Sequence, residues 1–293
     1  MSTADASRYS LGSLFSIEGS VVVITGGGTG IGRMITTAFA MNGAKVYITG
    51  RRLEVLEKTS KEINEMVNGK GSVVPIQGDV SSKATVKEFY NKVAEKENRI
   101  DTLINCAGIS KPWRKPTTEL TNVPQVQDML DSVEDEDFST SHSINVAGPY
   151  FTTIAFAPLL AKSENASVII IASIAPFVQQ KSVGPITYSV SKGGAVTLSH
   201  QLASRLIPYK IRVNCLCPGI FPSEMTGDGT NVNPAIKALL PTIPKGREGK
   251  AEEIAGPCVM LASPAGAYMN NAVLTIDGGR LMVGLISLLT RLQ

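Results

Sequence analysis

The stretch Val21-Val22-Val23-Ile24-Thr25-Gly26-Gly27-Gly28-Thr29-Gly30-Ile31-Gly32 carries a continuous β-branched run through a glycine-rich turn into the start of an amphipathic helical pattern. An unbroken apolar run of this kind suits a strand covered on both faces. Gly26 permits a tight exit from the strand, Gly30 lets the backbone approach a phosphate, and Gly32 lets the helix pack close to the sheet. A helix that begins inside such a turn aims its free N–H groups at an anion. The unit reads as a strand, a phosphate-binding turn and a helix.

The same rhythm continues along the chain. Strand-like runs recur at Lys45–Thr49, Ser72–Gln77, Thr102–Cys106, Ser167–Ala172, Arg212–Cys217 and Val273–Ile276. Helical spacing fills the intervals Ile31–Asn42, Leu53–Asn68, Ser82–Asn98, Phe138–Lys162, Thr187–Leu206 and Ala251–Leu261. Strands alternating with helices predict an α/β fold, a Rossmann-type doubly wound parallel sheet of about seven strands with helices on both faces. No composition break divides the chain, so one domain is expected over 1–293, with its core at about 20–280. Two stretches depart from the pattern. Ile109–Asp137 is a long connection containing Lys111-Pro112-Trp113-Arg114-Lys115-Pro116 and the acidic run Glu134–Asp137, which is read as a solvated helix start. Gly219–Gly249 is rich in Pro and Gly and reads as a flap beside a ligand, with Ile220, Phe221, Met225, Leu239 and Leu240 as candidate pocket walls.

Composition narrows the function. With 293 residues and 43% hydrophobic content the chain can bury a large core, and 28 Lys and Arg against 25 Asp and Glu leave a net charge of only +3. No long basic run offers a footprint for nucleic acid, so a small-molecule partner is expected. The four cysteines, Cys106, Cys215, Cys217 and Cys258, have no metal-ligand spacing and read as reduced core thiols; His142 and His200 have no partners suggestive of a triad, and no metal site is expected. Met1–Gly19 lacks a basic segment followed by an apolar one, and the apolar runs fall short of the roughly 18 to 20 residues that span a bilayer. A cytoplasmic protein without a membrane span is expected. The tail at 281–293 is apolar but short, which suits subunit packing.

The second strand ends at Thr49-Gly50-Arg51-Arg52, where an NAD-binding fold usually presents a carboxylate to the ribose 2′-hydroxyl. Guanidinium forks suit a 2′-phosphate instead, which favours NADP, with Arg51 as the contact and Arg52 as a solvated charge at the helix start. Further on, Tyr188 and Lys192 stand four apart in a helical pattern and so share one face. An ammonium beside a phenol favours the phenolate and fits the pair for proton transfer. Ser173 follows the strand Ser167–Ala172, at the carboxyl end where open α/β sheets hold their ligands.

In this order, Gly26, Gly30 and Gly32, then Asp79, then Asn105-Cys106-Ala107-Gly108, Asn145, Ser173 and the pair Tyr188 and Lys192, the chain resembles the short-chain dehydrogenase/reductase family over nearly its whole length. Pro218-Gly219 and Ile276-Asp277-Gly278-Gly279 fit the same pattern. The resemblance implies an NADP(H)-dependent carbonyl reductase or alcohol dehydrogenase. Tyr188 would give or take the proton, Ser173 would position the substrate oxygen, Lys192 would also bind the nicotinamide ribose, and Asn145 would hold a water leading to solvent. The cofactor would be held by Gly26, Thr29, Gly30, Ile31, Arg51, Asp79, Val80, Asn105, Ala107, Gly108, Pro218, Gly219 and Ile220 together with Tyr188 and Lys192, Asp79 and Val80 flanking the adenine. Cys106 departs from the family's usual asparagine; the change is read as tolerated, since cysteine is compact and suits a buried strand end, against an amide hydrogen bond of about 1 kcal/mol whose loss would loosen the turn. Phe221–Thr226 and Gly266–Met269 resemble bacterial and fungal β-ketoacyl and polyketide-type reductases, which sets a subgroup and not a substrate; the apolar flap residues are consistent with a hydrophobic ketone, and the family resemblance implies a homodimer or homotetramer. Two alternatives share the fold: a noncatalytic NADP-binding regulator, against which the intact Ser173, Tyr188 and Lys192 argue, and a non-redox dehydratase or cyclase.

Overall fold

The computed structural model describes residues 6–112, 114, 126–178, 185–225 and 234–283. Its strands are β1 (Val21–Thr25), β2 (Lys45–Gly50), β3 (Ser72–Gln77), β4 (Thr102–Asn105), β5 (Ser167–Ile171), β6 (Arg212–Pro218) and β7 (Val273–Ile276). All neighbours pair in parallel, in the order β3-β2-β1-β4-β5-β6-β7. The doubly wound parallel sheet expected from the apolar runs is therefore present. Its strand order reverses at β1, between β2 and β4, which opens a crevice at the carboxyl ends of β1 and β4.

Period-two alternation along the strands divides the core in two. Val21 and Val23 of β1 face one hydrophobic cluster with Leu103, Val168 and Ile170, while Val22 and Ile24 face the other with Ile104 and Ile169. The first cluster is covered by α3 (Lys83–Ala94), α5 (Gly148–Leu160) and α6 (Ile186–Leu206), through Phe89, Phe156 and Leu202. The second is covered by α1 (Gly30–Met41), α2 (Leu53–Val67) and α8 (Ala251–Ala262), through Phe39, Ile63 and Leu261. Each of these six side chains is at most 1% exposed. At about 1.5–3 kcal/mol for each large apolar side chain buried, the two clusters account for the adhesion of all three layers.

The structure differs from the sequence reading in three places. The span Phe138–Lys162 is not one helix: α4 (Asp135–His142) runs into a π turn at Ser143–Ala147, and α5 follows, with Pro149 in its first turn. Within Gly219–Gly249 a short helix, α7 (Pro234–Leu239), is formed. The acidic run does start a helix, but Asp137 is not solvated. Its carboxylate accepts from Glu134 N at 3.0 Å and from Arg114 Nε at 3.2 Å, which holds its pKa below the usual carboxylate range. Among the described residues no helix is long and apolar enough to cross a membrane. Trp113, Lys115, Pro116, Thr226 and the tail from 284 onward are outside the described residues.

Candidate active site

The glycine turn has the shape its sequence demands. Gly26 has φ +70° and Gly30 φ +48°, in the left-handed region that glycine enters without penalty. A Cβ at Gly26 would stand 2.9 Å from Ala107 Cα, and one at Gly32 would run into the Gly26 carbonyl. Two threonines that the sequence did not mark hold the turn from behind. Thr36 Oγ1 donates to Gly32 O at 2.8 Å and lies 3.1 Å from Gly27 O, and Thr59 Oγ1 donates to Gly28 O at 2.8 Å. With these carbonyls engaged on the core side, and with Thr29 as an N-cap that makes no side-chain capping bond, the first N–H groups of α1 remain for a ligand. Thr29 and Ile31 are half-buried beside them.

Around this turn the remaining cofactor candidates gather at the carboxyl ends of the strands. Arg51 is exposed, and its guanidinium has no partner among the described residues. Arg52 stands at the start of α2 and is exposed, as expected of a solvated charge, and it also grips both oxygens of Glu224 from Nη2 at 2.7 and 3.0 Å. Asp79 Oδ1 accepts from Ser81 N at 2.9 Å, and Val80 is buried against Gly148. Asn105 points into the core, where its amide donates to Thr153 Oγ1 at 3.1 Å and its Oδ1 meets no partner among the described residues. At Cys106 the turn is held through its main chain, Cys106 N and Ala107 N both donating to Thr25 Oγ1 at 3.1 Å. Burial pushes the Cys106 thiol up to about 12, against the opposing effect of the Lys192 charge, so it stays protonated at neutral pH. Pro218 is buried, Ile220 half-buried, and Gly219 packs where a Cβ would stand 2.9 Å from Asp277 Cα.

The catalytic candidates converge on the same crevice. Tyr188 is half-buried in the first turn of α6, and Lys192 follows one turn later, its Nζ 5.9 Å from the centre of the Tyr188 ring. Lys192 is 5% exposed and donates to Ile171 O at 2.8 Å, at the end of β5. Ser173, two residues beyond, accepts from Ala175 N at 3.1 Å and keeps its own hydroxyl proton for another acceptor. Asn145 sits in the π turn, a geometry frequent at functional sites. Its Nδ2 donates to Ile109 O and to Ser191 Oγ, both at 2.9 Å, and its Oδ1 accepts from Ile109 N at 2.9 Å. Both amide hydrogens are thus spent on tying the β4 turn to α6. Ser191, another residue that the sequence did not single out, completes the link by donating to Tyr188 O at 2.8 Å. A Cβ at Gly108 would stand 3.2 Å from both Asn145 Oδ1 and Lys192 Nζ, so a glycine is what brings these groups to the β4 end.

A cavity of about 340 Å³ lies behind the flap, lined by Ile220, Ile243, Lys245 and Asp277, and a groove of about 640 Å³ runs along α1 and α8 beside Gly30 and Ser223. Neither is lined by Ser173, Tyr188 or Lys192. Of the candidate pocket walls, Phe221 is a core residue at 3% exposure, Met225 is exposed, and Ile220, Leu239 and Leu240 are half-buried. Cys215, Cys217 and Cys258 are buried free thiols. Among the described residues no cluster of His, Cys, Asp or Glu is placed to hold a metal ion.

This chain is similar over most of its length to known proteins. Residues 26–280 match the family model described as enoyl-(acyl carrier protein) reductase. The chain is 39% identical over 281 residues to the short-chain dehydrogenase/reductase PhomF of Diaporthe leptostromiformis, covering 92% of this chain and 94% of the relative. It is 32% identical over 266 residues to the 3-oxoacyl-(acyl-carrier-protein) reductase FabG of Chlamydia pneumoniae, covering 90% and 98%. The solved RhlG/NADP active-site complex of Pseudomonas aeruginosa superposes with a TM-score of 0.77 at 32% identity, covering 92% of this chain and 98% of that one.

Proposed function

The chain belongs to the short-chain dehydrogenase/reductase family of oxidoreductases, and on that footing we propose that it transfers hydride between NADP(H) and a carbonyl or secondary alcohol, acting as the reductase of a hydrophobic ketone or β-ketoacyl-like substrate. The observation that carries the proposal is the convergence of Tyr188, Lys192 and Ser173 at the end of β5, with Lys192 Nζ held at Ile171 O. The residues present fit the cofactor. The cradle formed by Gly26 and Gly30, with the uncapped start of α1, suits a pyrophosphate, and the exposed guanidinium of Arg51 suits a 2′-phosphate. Bound there, the nicotinamide supplies or accepts the hydride.

The chain's own residues supply the proton and the geometry. Ser173 donates its hydroxyl proton in a hydrogen bond to the carbonyl oxygen and so holds it near Tyr188. Tyr188 delivers a proton to that oxygen from its hydroxyl during reduction, or removes one from the alcohol in the reverse direction. Lys192, anchored at Ile171 O, is held one helical turn from Tyr188 and makes no ion pair with a carboxylate among the described residues. Asn145, locked between Ile109 and Ser191, holds the start of α6 against the β4 turn, so that Tyr188 and the cofactor cradle keep one relative position.

The substrate class draws on the flap, where Met225, Leu239 and Leu240 remain as apolar walls, and on the β-ketoacyl reductases among the relatives. We further propose that the molecule assembles from at least two copies. Tyr150 and Ile154 on α5 and Ile186 and Val190 on α6 are all more than 40% exposed, an apolar face that a second copy would cover. The function is tested by following NADPH and NADH absorbance with a panel of hydrophobic ketones and β-ketoacyl thioesters. Turnover with NADPH on at least one of them is expected; turnover of none, with the cofactor bound, would point to a regulator or a non-redox enzyme.

A further inference from the structure

The two adjacent arginines after β2 have different surroundings. The Arg51 guanidinium meets no side chain among the described residues, whereas Arg52 Nη2 grips both oxygens of Glu224, which comes 172 residues later in the chain. Two other contacts hold the same short run of the flap. Phe221 is buried in the core, and Ser223 is so close to the glycine turn that a side chain at Gly30 would place its Cβ 2.9 Å from Ser223 Cβ. Residues 221–225 therefore cross the phosphate turn, pinned by Phe221 at one end and by the ion pair at the other. Exposed Met225, a candidate substrate wall, comes next.

We propose that Arg52 is a positioning residue for the substrate flap, with Glu224 as its partner, and that this pair sets the apparent affinity for the carbonyl substrate while Arg51 alone serves the 2′-phosphate. The inference rests on the reductase reading above. A guanidinium already engaged by a carboxylate has little charge to offer a phosphate, and the carboxylate would repel a phosphate approaching the same fork. Both side chains are more than half exposed, at 53% and 61%, so the effect is modest. Pairs of this kind shift an equilibrium by about two- to five-fold, and salt screens them.

Arg52→Ala and Glu224→Ala are each expected to raise the ketone KM by about two- to five-fold at low ionic strength, leaving the NADPH KM unchanged. The charge-reversed double variant Arg52→Glu/Glu224→Arg should restore the ketone KM. Arg51→Ala should show the opposite split, moving the NADPH KM and not that of the ketone. Limited proteolysis of the protein without cofactor gives a readout independent of turnover: cleavage within the flap should be faster in both single variants and return to the wild-type rate in the reversed pair. If Arg52→Ala weakens NADPH as Arg51→Ala does, or if the reversed pair recovers neither KM nor protease resistance, the proposal is overturned. Failure of the reductase reading looks different: the wild-type protein would turn over no ketone, while the proteolysis pattern would still judge the anchor.

Discussion

Lys192 Nζ donates to the main-chain carbonyl of Ile171 at 2.8 Å, and among the described residues no carboxylate stands within ion-pairing distance of this buried ammonium. A buried charge with so little compensation works against stability, so its presence argues for chemistry rather than folding. Lys192→Met, which keeps the length and removes the charge, is expected to lower ketone turnover by at least about a hundred-fold. The thermal unfolding midpoint should stay unchanged or rise. A midpoint that falls by several degrees with turnover retained would show that the lysine is structural.

Arg51 offers its fork to solvent at the corner where the proposed NADP would carry its 2′-phosphate. Hydrogen bonds to charged groups contribute about 1.5–3 kcal/mol, so Arg51→Ala should weaken NADPH binding by about ten-fold or more while leaving NADH binding nearly unchanged. Fluorescence titration with both cofactors measures this. An equal loss for the two would remove the 2′-phosphate from the account.

Glu253, in the first turn of α8, meets the Arg247 fork at 2.7 and 2.8 Å and also accepts from Lys250 N at 2.8 Å. Chiefly through Arg247, its carboxyl is held at about 2. A carboxyl whose folded value is depressed contributes stability above its unfolded value of about 4.3 and loses it as pH falls toward the folded one. Glu253→Gln should therefore unfold at a lower temperature than the wild type at pH 7, and the gap should narrow as pH falls from about 4 to about 2. A gap independent of pH, measured by thermal scans, would show that the ion pair contributes nothing to stability.

The parts of the fold that were legible in the sequence are those set by local pattern. Val21–Thr25 and Ser167–Ile171 are continuous apolar runs because helices cover both faces, and the glycine turn shows itself because glycine enters the left-handed region without penalty at positions 26 and 30 and leaves room there for Ala107 and Ser223. Tyr188 and Lys192 were visible through their spacing, Asn145 only through the family pattern. What escaped is long-range or depends on direction. Nothing near Arg52 announces Glu224, nothing near Arg114 announces Asp137, and the π turn at Ser143–Ala147 has the composition of ordinary helix. Phe221 reads equally well as a pocket wall or a core residue until its burial beneath Gly249 is seen. Thr36 and Thr59 act through hydroxyls aimed at carbonyls in the turn, a direction no spacing encodes.

Tyr188 is the group on which the proposed chemistry depends. Tyr188→Phe removes one oxygen from a half-buried ring and leaves the glycine turn, Arg51 and Lys192 in place. Ketone reduction by this variant, followed by NADPH absorbance, should fall by at least about a hundred-fold, while NADPH binding measured by fluorescence titration stays at the wild-type affinity. Turnover that survives the substitution, with binding intact, would contradict the assignment of Tyr188 as the proton donor.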